Sequence, residues 1–381
     1  MTRTILLAAL VLGIAAALEA KPHAEAVAGV FAIDVFADGS RMHLLVAETT
    51  SDEGARLFHR TSVDGGVTWS ESRRVDAAMP PPFSPHRGFD PQIAAAGDLL
   101  VAAWTTAGTD RWGSGPIATA RSEDGGVTWR QGPNPADDGL TTGHGFLDLA
   151  VDAEGAFHLV WLDSRDGRQG LRHAKSSDGG ASWSPNRTLQ AGTCECCRNT
   201  LATGPDGTVA VLFRGHDPRD MKVISSKNNE WREPLTAGDF AWKFDGCPHA
   251  GGGLAVTAAA LHALVWTGSE THAGVHYVRP GGAAHRLGDP SATHPDLAAT
   301  REGVLLAVWQ ERNEEGVVLR HTLSDDEGAN WSDPQSIARA AATATHPRVV
   351  AGRDGFLIVW TETPEGAAAR WSSAWIPASR P

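Results

Sequence analysis

One eight-residue pattern, Ser-x-Asp-Gly-Gly-x-(Thr/Ser)-Trp, stands at Ser62–Trp69, Ser122–Trp129 and Ser176–Trp183, with a looser copy at Ser324–Trp331. In such a segment the carboxylate accepts backbone N–H bonds across a tight turn. The glycines supply backbone angles that other residues resist, and the Trp covers an apolar face. The pattern is therefore a hairpin turn, repeated. Asp124 follows Asp64 by 60 residues, Asp178 follows by 54, and Asp326 by a further 148, about three periods. Ser225–Trp231 and Pro280-Gly281-Gly282 occupy the two missing places as decayed copies. A period near 50 residues built of short strands belongs to propellers rather than to helical solenoids.

A second repeat runs in phase with the first: an apolar strand, a turn with Gly, and a strand ending near Trp or Phe. It recurs over Pro91–Trp104, Leu147–Trp161, Thr200–Phe213, Gly253–Trp266, Pro295–Trp309 and Pro347–Trp360, with an earlier version at Gly29–Glu48. These seven inner strand pairs predict an all-β propeller of four-stranded blades over residues 27–381. Seven blades are favoured, and six stay open because two turns have decayed. With 45 acidic against 33 basic residues among 381, a net charge of −12 and no Lys/Arg block, the chain lacks the electrostatic footprint that nucleic acid requires. Residues 1–26 read as a secretory leader: Arg3, an apolar run from Ile5 to Leu18, then small residues around Ala20, Ala24 and Ala26. The run is too short for a membrane span. The mature chain is expected to be periplasmic or secreted.

The Asp-Gly-Gly-x-Thr-Trp copies resemble the Asp boxes, or BNR repeats, of the sialidase superfamily. The resemblance implies a propeller with Asp64, Asp124, Asp178 and Asp326 as structural turn residues away from the ligand face. In a working sialidase it further implies an Arg-Ile-Pro motif, three arginines clamping a carboxylate, and a Tyr nucleophile. By that resemblance Arg198, Arg214 and Arg348 are the candidate clamp and Tyr277, the only tyrosine, the candidate nucleophile. The first inner strand, Gly29-Val-Phe-Ala-Ile-Asp-Val-Phe36, carries neither Arg nor Pro. The expectation is accordingly a sialidase-like propeller that does not hydrolyse sialosides, with an exo-alpha-sialidase-type hydrolase as the alternative.

All four cysteines fall in Cys194-Glu-Cys196-Cys197 and Asp245-Gly-Cys247-Pro-His249. Leu201-Ala202 and Leu254-Ala255 align with Leu297-Ala298, so both segments immediately precede neighbouring inner strands, and their sulfurs are expected to converge at one mouth of the channel. The same register puts His294 and His346 at the starts of two further inner strands, with His86 and His144 just before two others. Two chemistries remain open for the thiols. An exported chain with an even cysteine count forms disulfides, yet every pairing here is crowded or vicinal. Alternatively, thiolates with imidazole from His249, His294 and His346 bind copper or zinc. The partner expected at the mouth is a metal ion, a small ligand or a glycan, in a metal-binding protein or a binding platform.

Overall fold

A computed structural model describes residues 29–379 apart from 51–53, 85, 110–112, 142, 315 and 338–342. The proposed leader lies outside the described residues. The chain forms seven antiparallel sheets in sequence order, a seven-bladed β-propeller. No helix occurs among the described residues, so none is long and apolar enough to cross a membrane. The inner strands are Gly29–Asp38, Gln92–Ala96, Gly145–Val151, Thr200–Thr203, Gly253–Val256, Thr293–Ala299 and Thr345–Ala351. Six blades run inner to outer through four strands. The fourth blade adds Leu235–Ala237, and the seventh has three strands. The decayed turns at Asn228-Asn229 and Gly281-Gly282 still join strands, which settles seven blades over six.

Each Asp box builds the same bond set. Asp64 Oδ1 accepts from Ser62 Oγ at 2.7 Å and Thr68 N at 2.9 Å, while Ser62 Oγ accepts from Gly66 N at 2.8 Å. Asp124, Asp178 and Asp326 repeat the Oδ1 contacts within 2.7–2.9 Å. The second glycine is required because the turn presses on the preceding blade. A Cβ on Gly126 would lie 2.2 Å from the His59 ring, and one on Gly66 2.7 Å from Leu357, where blade one closes on blade seven.

Apolar residues on facing blades bury one another, as Val101 and Ala103 do with Leu149, Leu159 and Trp161. Carboxylates staple neighbouring inner strands: Asp34 accepts from Ile93 N at 2.8 Å, Asp148 from Leu201 N at 2.6 Å and Asp296 from Val349 N at 3.0 Å. Burial pushes all three carboxyls up to about 7. In every blade the inner strand starts at one face of the ring, and wherever a fourth strand follows the third, the turn between them lies at the other. The cysteine segments and the Asp boxes therefore sit on opposite faces.

Candidate metal centre

The Cys194–Cys197 loop connects the outer strand of blade three, Arg187–Gln190, to the inner strand of blade four. It is pinned from several sides. Cys194 N donates to Arg214 O at 2.9 Å, Thr193 N to Gln169 O at 3.1 Å, and Asn199 Nδ2 to Phe146 O at 2.9 Å. Tied this way, the loop turns three sulfurs toward one another. Cys194 Sγ lies 3.2 Å from Cys197 Sγ and 3.7 Å from Cys196 Sγ, all three buried. These separations far exceed the ~2.05 Å of a disulfide, and all four cysteines are free thiols.

The second segment approaches from blade five. A Cβ on Gly251 would come within 2.9 Å of Arg198 Cβ, and one on Gly252 within 2.7 Å of Leu212 Cδ2, so only glycine lets this backbone pass so close. Arg214, 1% exposed, fastens it: Nε and Nη2 donate to Ala250 O at 3.2 and 3.1 Å, Nη2 to Trp266 O at 2.9 Å and Nη1 to Arg219 O at 2.6 Å. Its guanidinium also lies 5.3 Å from the centre of the Trp242 ring. The result brings Cys247 and His249, both exposed, to Cys196, with the three ligand atoms within 4.8 Å of one another. The donors thus form two sets, Cys194/Cys196/Cys197 and Cys196/Cys247/His249.

Thiols this close share protons. Hydrogen bonding with Cys196 and Cys197 and the positive charge of Arg214 hold the Cys194 thiol well below its ordinary range. Burial and the contact with Cys194 push Cys197 up, and Cys196 is raised by its neighbours as well. One sulfur therefore carries the charge while its neighbours keep protons that a cation can displace. Burial and the nearby His86 keep His249 below its ordinary range, leaving its imidazole neutral at pH 7, the form that ligates metal. The His86 ring lies 4.4 Å from that of His249, and its Nδ1 bonds to Arg87 O at 2.8 Å, leaving Nε2 as the acceptor nitrogen.

Several expected residues go elsewhere. His294 and His346 pack on each other with their rings tilted by 36°, 3.9 Å between ring centroids, on left-handed backbone at β-bulges. Both stay outside the two sulfur sets. They line a small pocket together with His249, Arg87, Arg198, Arg348 and Asp90, whose carboxylate pairs with Arg87 and Arg348. His144 turns into a buried contact with Asp138 at 3.2 Å, where Arg165 already neutralises the carboxylates. The three candidate clamp arginines are committed: Arg214 to carbonyls, Arg198 to Gly252 O at 2.9 Å, and Arg348 to Asp90 at 3.2 Å. Tyr277 lies at the Asp-box face. Its hydroxyl lies within hydrogen-bond distance of Glu327 O, at 3.2 Å, and of His262 Nδ1, at 2.8 Å, beside Gly328 of the blade-six Asp box.

A cleft of about 460 Å³ opens beside the outer sulfur set, lined by His86, Phe89, Phe146, Arg168, Cys196 and His249 among others. The loop around Arg168 carries no motif that marked it in the sequence. The repeat register alone pointed to this place.

The BNR repeat-like domain family matches residues 32–239. The chain belongs to that family. Its propeller is similar to that of a polysaccharide lyase of the PL25 ulvan lyase type, solved bound to -[GlcA(1-4)Rha3S]-, with 13% identity, 93% of this chain and 95% of that one covered, and a TM-score of 0.59. The β-propeller domain of the Trilobed protease from Pyrococcus furiosus matches at 8% identity, 93% and 98% coverage and a TM-score of 0.51. The alpha-L-arabinanase of Penicillium chrysogenum matches at 13%, 93% and 97%, and 0.50. At these identities the likeness is one of fold. No curated protein matches. For this BNR-repeat chain the sialidase-like resemblance of the Asp boxes holds at the level of family and fold.

Proposed function

We propose that this BNR-repeat propeller is an exported copper-binding protein that holds copper(I) on Cys194, Cys196, Cys197, Cys247 and His249. The supporting observation is that Cys196 stands within 4.8 Å of donors from two different blades, with four free thiols and one neutral imidazole in reach. Soft thiolates select copper(I) and zinc. Neither donor set alone supplies the four protein ligands of a structural zinc site. Three soft donors suit copper(I). The secretory leader supports an extracytoplasmic setting, in which free thiols persist when a metal holds them.

The sialoside-hydrolase alternative finds less support. Tyr277 and the arginines lie on different faces, and the Arg214 nitrogens are spent on backbone carbonyls. The test is copper retention. Protein reconstituted anaerobically with copper(I) and passed over a chelating resin should keep copper and absorb in the near ultraviolet from thiolate-to-copper charge transfer. Complete loss of copper to the resin, with the thiols still reduced, would overturn the reading.

A further inference from the structure

We propose that the cluster holds two copper(I) ions rather than one, with the Cys196 thiolate bridging a buried ion on Cys194 and Cys197 and an outer ion on Cys247 and His249. The proposal deepens the copper reading and rests on it.

The geometry points to two ions because the five donors do not form one set. They divide into two triads, each with its ligand atoms within 4.8 Å of one another, and only Cys196 belongs to both. A single ion on the inner triad leaves Cys247 and His249 unused, and one on the outer triad leaves two buried sulfurs beside it without metal. A thiolate has the lone pairs to bridge two soft cations. Charge permits it. Three thiolates on one monovalent ion and four thiolates on two carry the same net charge, so the second ion with the Cys247 thiolate adds no uncompensated charge to the cluster, and Arg214, whose backbone carbonyl accepts from Cys194 N, places a positive charge beside it.

The two positions differ in access. The inner triad comes from one short loop and is wholly buried, whereas the outer one joins two separate loops and has two exposed donors. The cleft is lined by Cys196, Cys247 and His249, not by Cys194 or Cys197. Metal therefore exchanges through the outer position, and the inner ion is the slow one. Each uptake is a proton-for-metal exchange: a thiol loses its proton to solvent as the sulfur–copper bond forms, with no change in oxidation state.

The experiment is an anaerobic copper(I) titration against a chromophoric chelator, with X-ray absorption on the loaded protein. The native chain should bind two coppers. Cys247→Ser and Cys194→Ser should each bind one, and Cys247→Ser, altered at an exposed residue, keeps the test independent of folding. With sulfur–metal bonds of ~2.3 Å, two ions on one sulfur lie no more than about 4.6 Å apart. A metal–metal vector inside that limit should appear in the native chain and vanish in both variants. In a chelator pulse the native chain should release its first copper at least tenfold faster than its second. One copper per native chain, or two without a metal–metal vector, overturns the proposal. No copper at all overturns the copper reading itself.

Discussion

On one face of the ring, the Asp boxes of blades one, two, three and six repeat a single bond set, each carboxylate held by a hydroxyl or amide and a backbone N–H of its own turn. On the other face, the segments before the inner strands share a register and little else: Cys194–Cys197 before blade four, Cys247–His249 before blade five, His294 and His346 at the starts of six and seven. The Asp-box turns satisfy themselves locally, so each copy works alone and can decay in blades four and five without breaking the ring. The mouth loops are satisfied by groups from neighbouring blades, Arg214 on Ala250 O and Asn199 on Phe146 O among them. Local closure yields a repeated scaffold. Dependence between blades assembles side chains from distant sequence, which is where chemistry collects.

The comparison breaks most severely at Arg214. Arg214→Met leaves the carbonyls of Ala250, Trp266 and Arg219 without their donors. At ~1–3 kcal/mol for each buried group left unsatisfied, the loss should reach about 3 kcal/mol or more. Urea unfolding should show it as a lowered midpoint, and copper content should fall because the Cys247 segment is no longer held against Cys196. An unchanged midpoint would mean that the two loops are held together by something other than this guanidinium.

Why one face was legible and the other only partly so follows from the same contrast. The Asp-Gly-Gly-x-Thr-Trp turns are local, so sequence spacing alone gave the blades and their phase. Leu201-Ala202 against Leu254-Ala255 placed the two cysteine segments side by side, because register carries that information. It could not reveal Arg214, whose partners are carbonyls and leave no mark in residue type. Nor could it foresee that Arg87, Arg198 and Arg348, arriving from three separate blades, would surround His294 and His346. The rarity of tyrosine drew attention to Tyr277, while its strand position already put it near an Asp-box turn.

A pH series sharpens the comparison, because buried titratable groups of the two regions act in opposite senses. In blade one, His43 and His59 stack under the Asp-box layer with 3.1 Å between ring nitrogens, and burial lowers them to about 4 and about 3. The unfolded chain takes up these protons below about 6.5 while the folded chain does not, so stability is lost as pH falls from 6.5 toward 4. In the channel, Asp34, Asp148 and Asp296 are raised to about 7. The folded chain binds their protons first, so stability is gained as pH falls from 7 toward 3.8. His173, His276, His294 and His346 are lowered by burial too and add to the loss on acidification, so the native slope between pH 7 and 5 is the sum of these opposed contributions. The double variant His43→Leu/His59→Phe should remove part of the acid-side loss, by on the order of 2 kcal/mol per histidine at pH 5. The slope of unfolding free energy against pH is the readout, whatever the variant does to absolute stability. An unchanged slope would mean that these rings are already protonated in the fold.

The smallest expected effect concerns Tyr277, where the two faces make opposite predictions for one atom. As part of the Asp-box layer, the hydroxyl joins His262 Nδ1 and Glu327 O across the boundary between blades five and six, and the ring packs on Trp331 at 5.1 Å between centroids. Tyr277→Phe keeps the ring and removes only the hydroxyl, so the loss should be about 1 kcal/mol, that of a hydrogen bond whose buried histidine partner is left unpaired. Copper stoichiometry should stay as in the native chain, since the residue lies on the face away from the cysteines. Were Tyr277 instead a nucleophile, native protein would turn over a fluorogenic sialoside and the Phe variant would not, with little change in the unfolding midpoint. Measuring both quantities on the same two samples separates the roles: a shifted midpoint without turnover in either sample makes Tyr277 part of the scaffold, and turnover abolished by the loss of one hydroxyl would move the reactive face of the molecule to its Asp-box side.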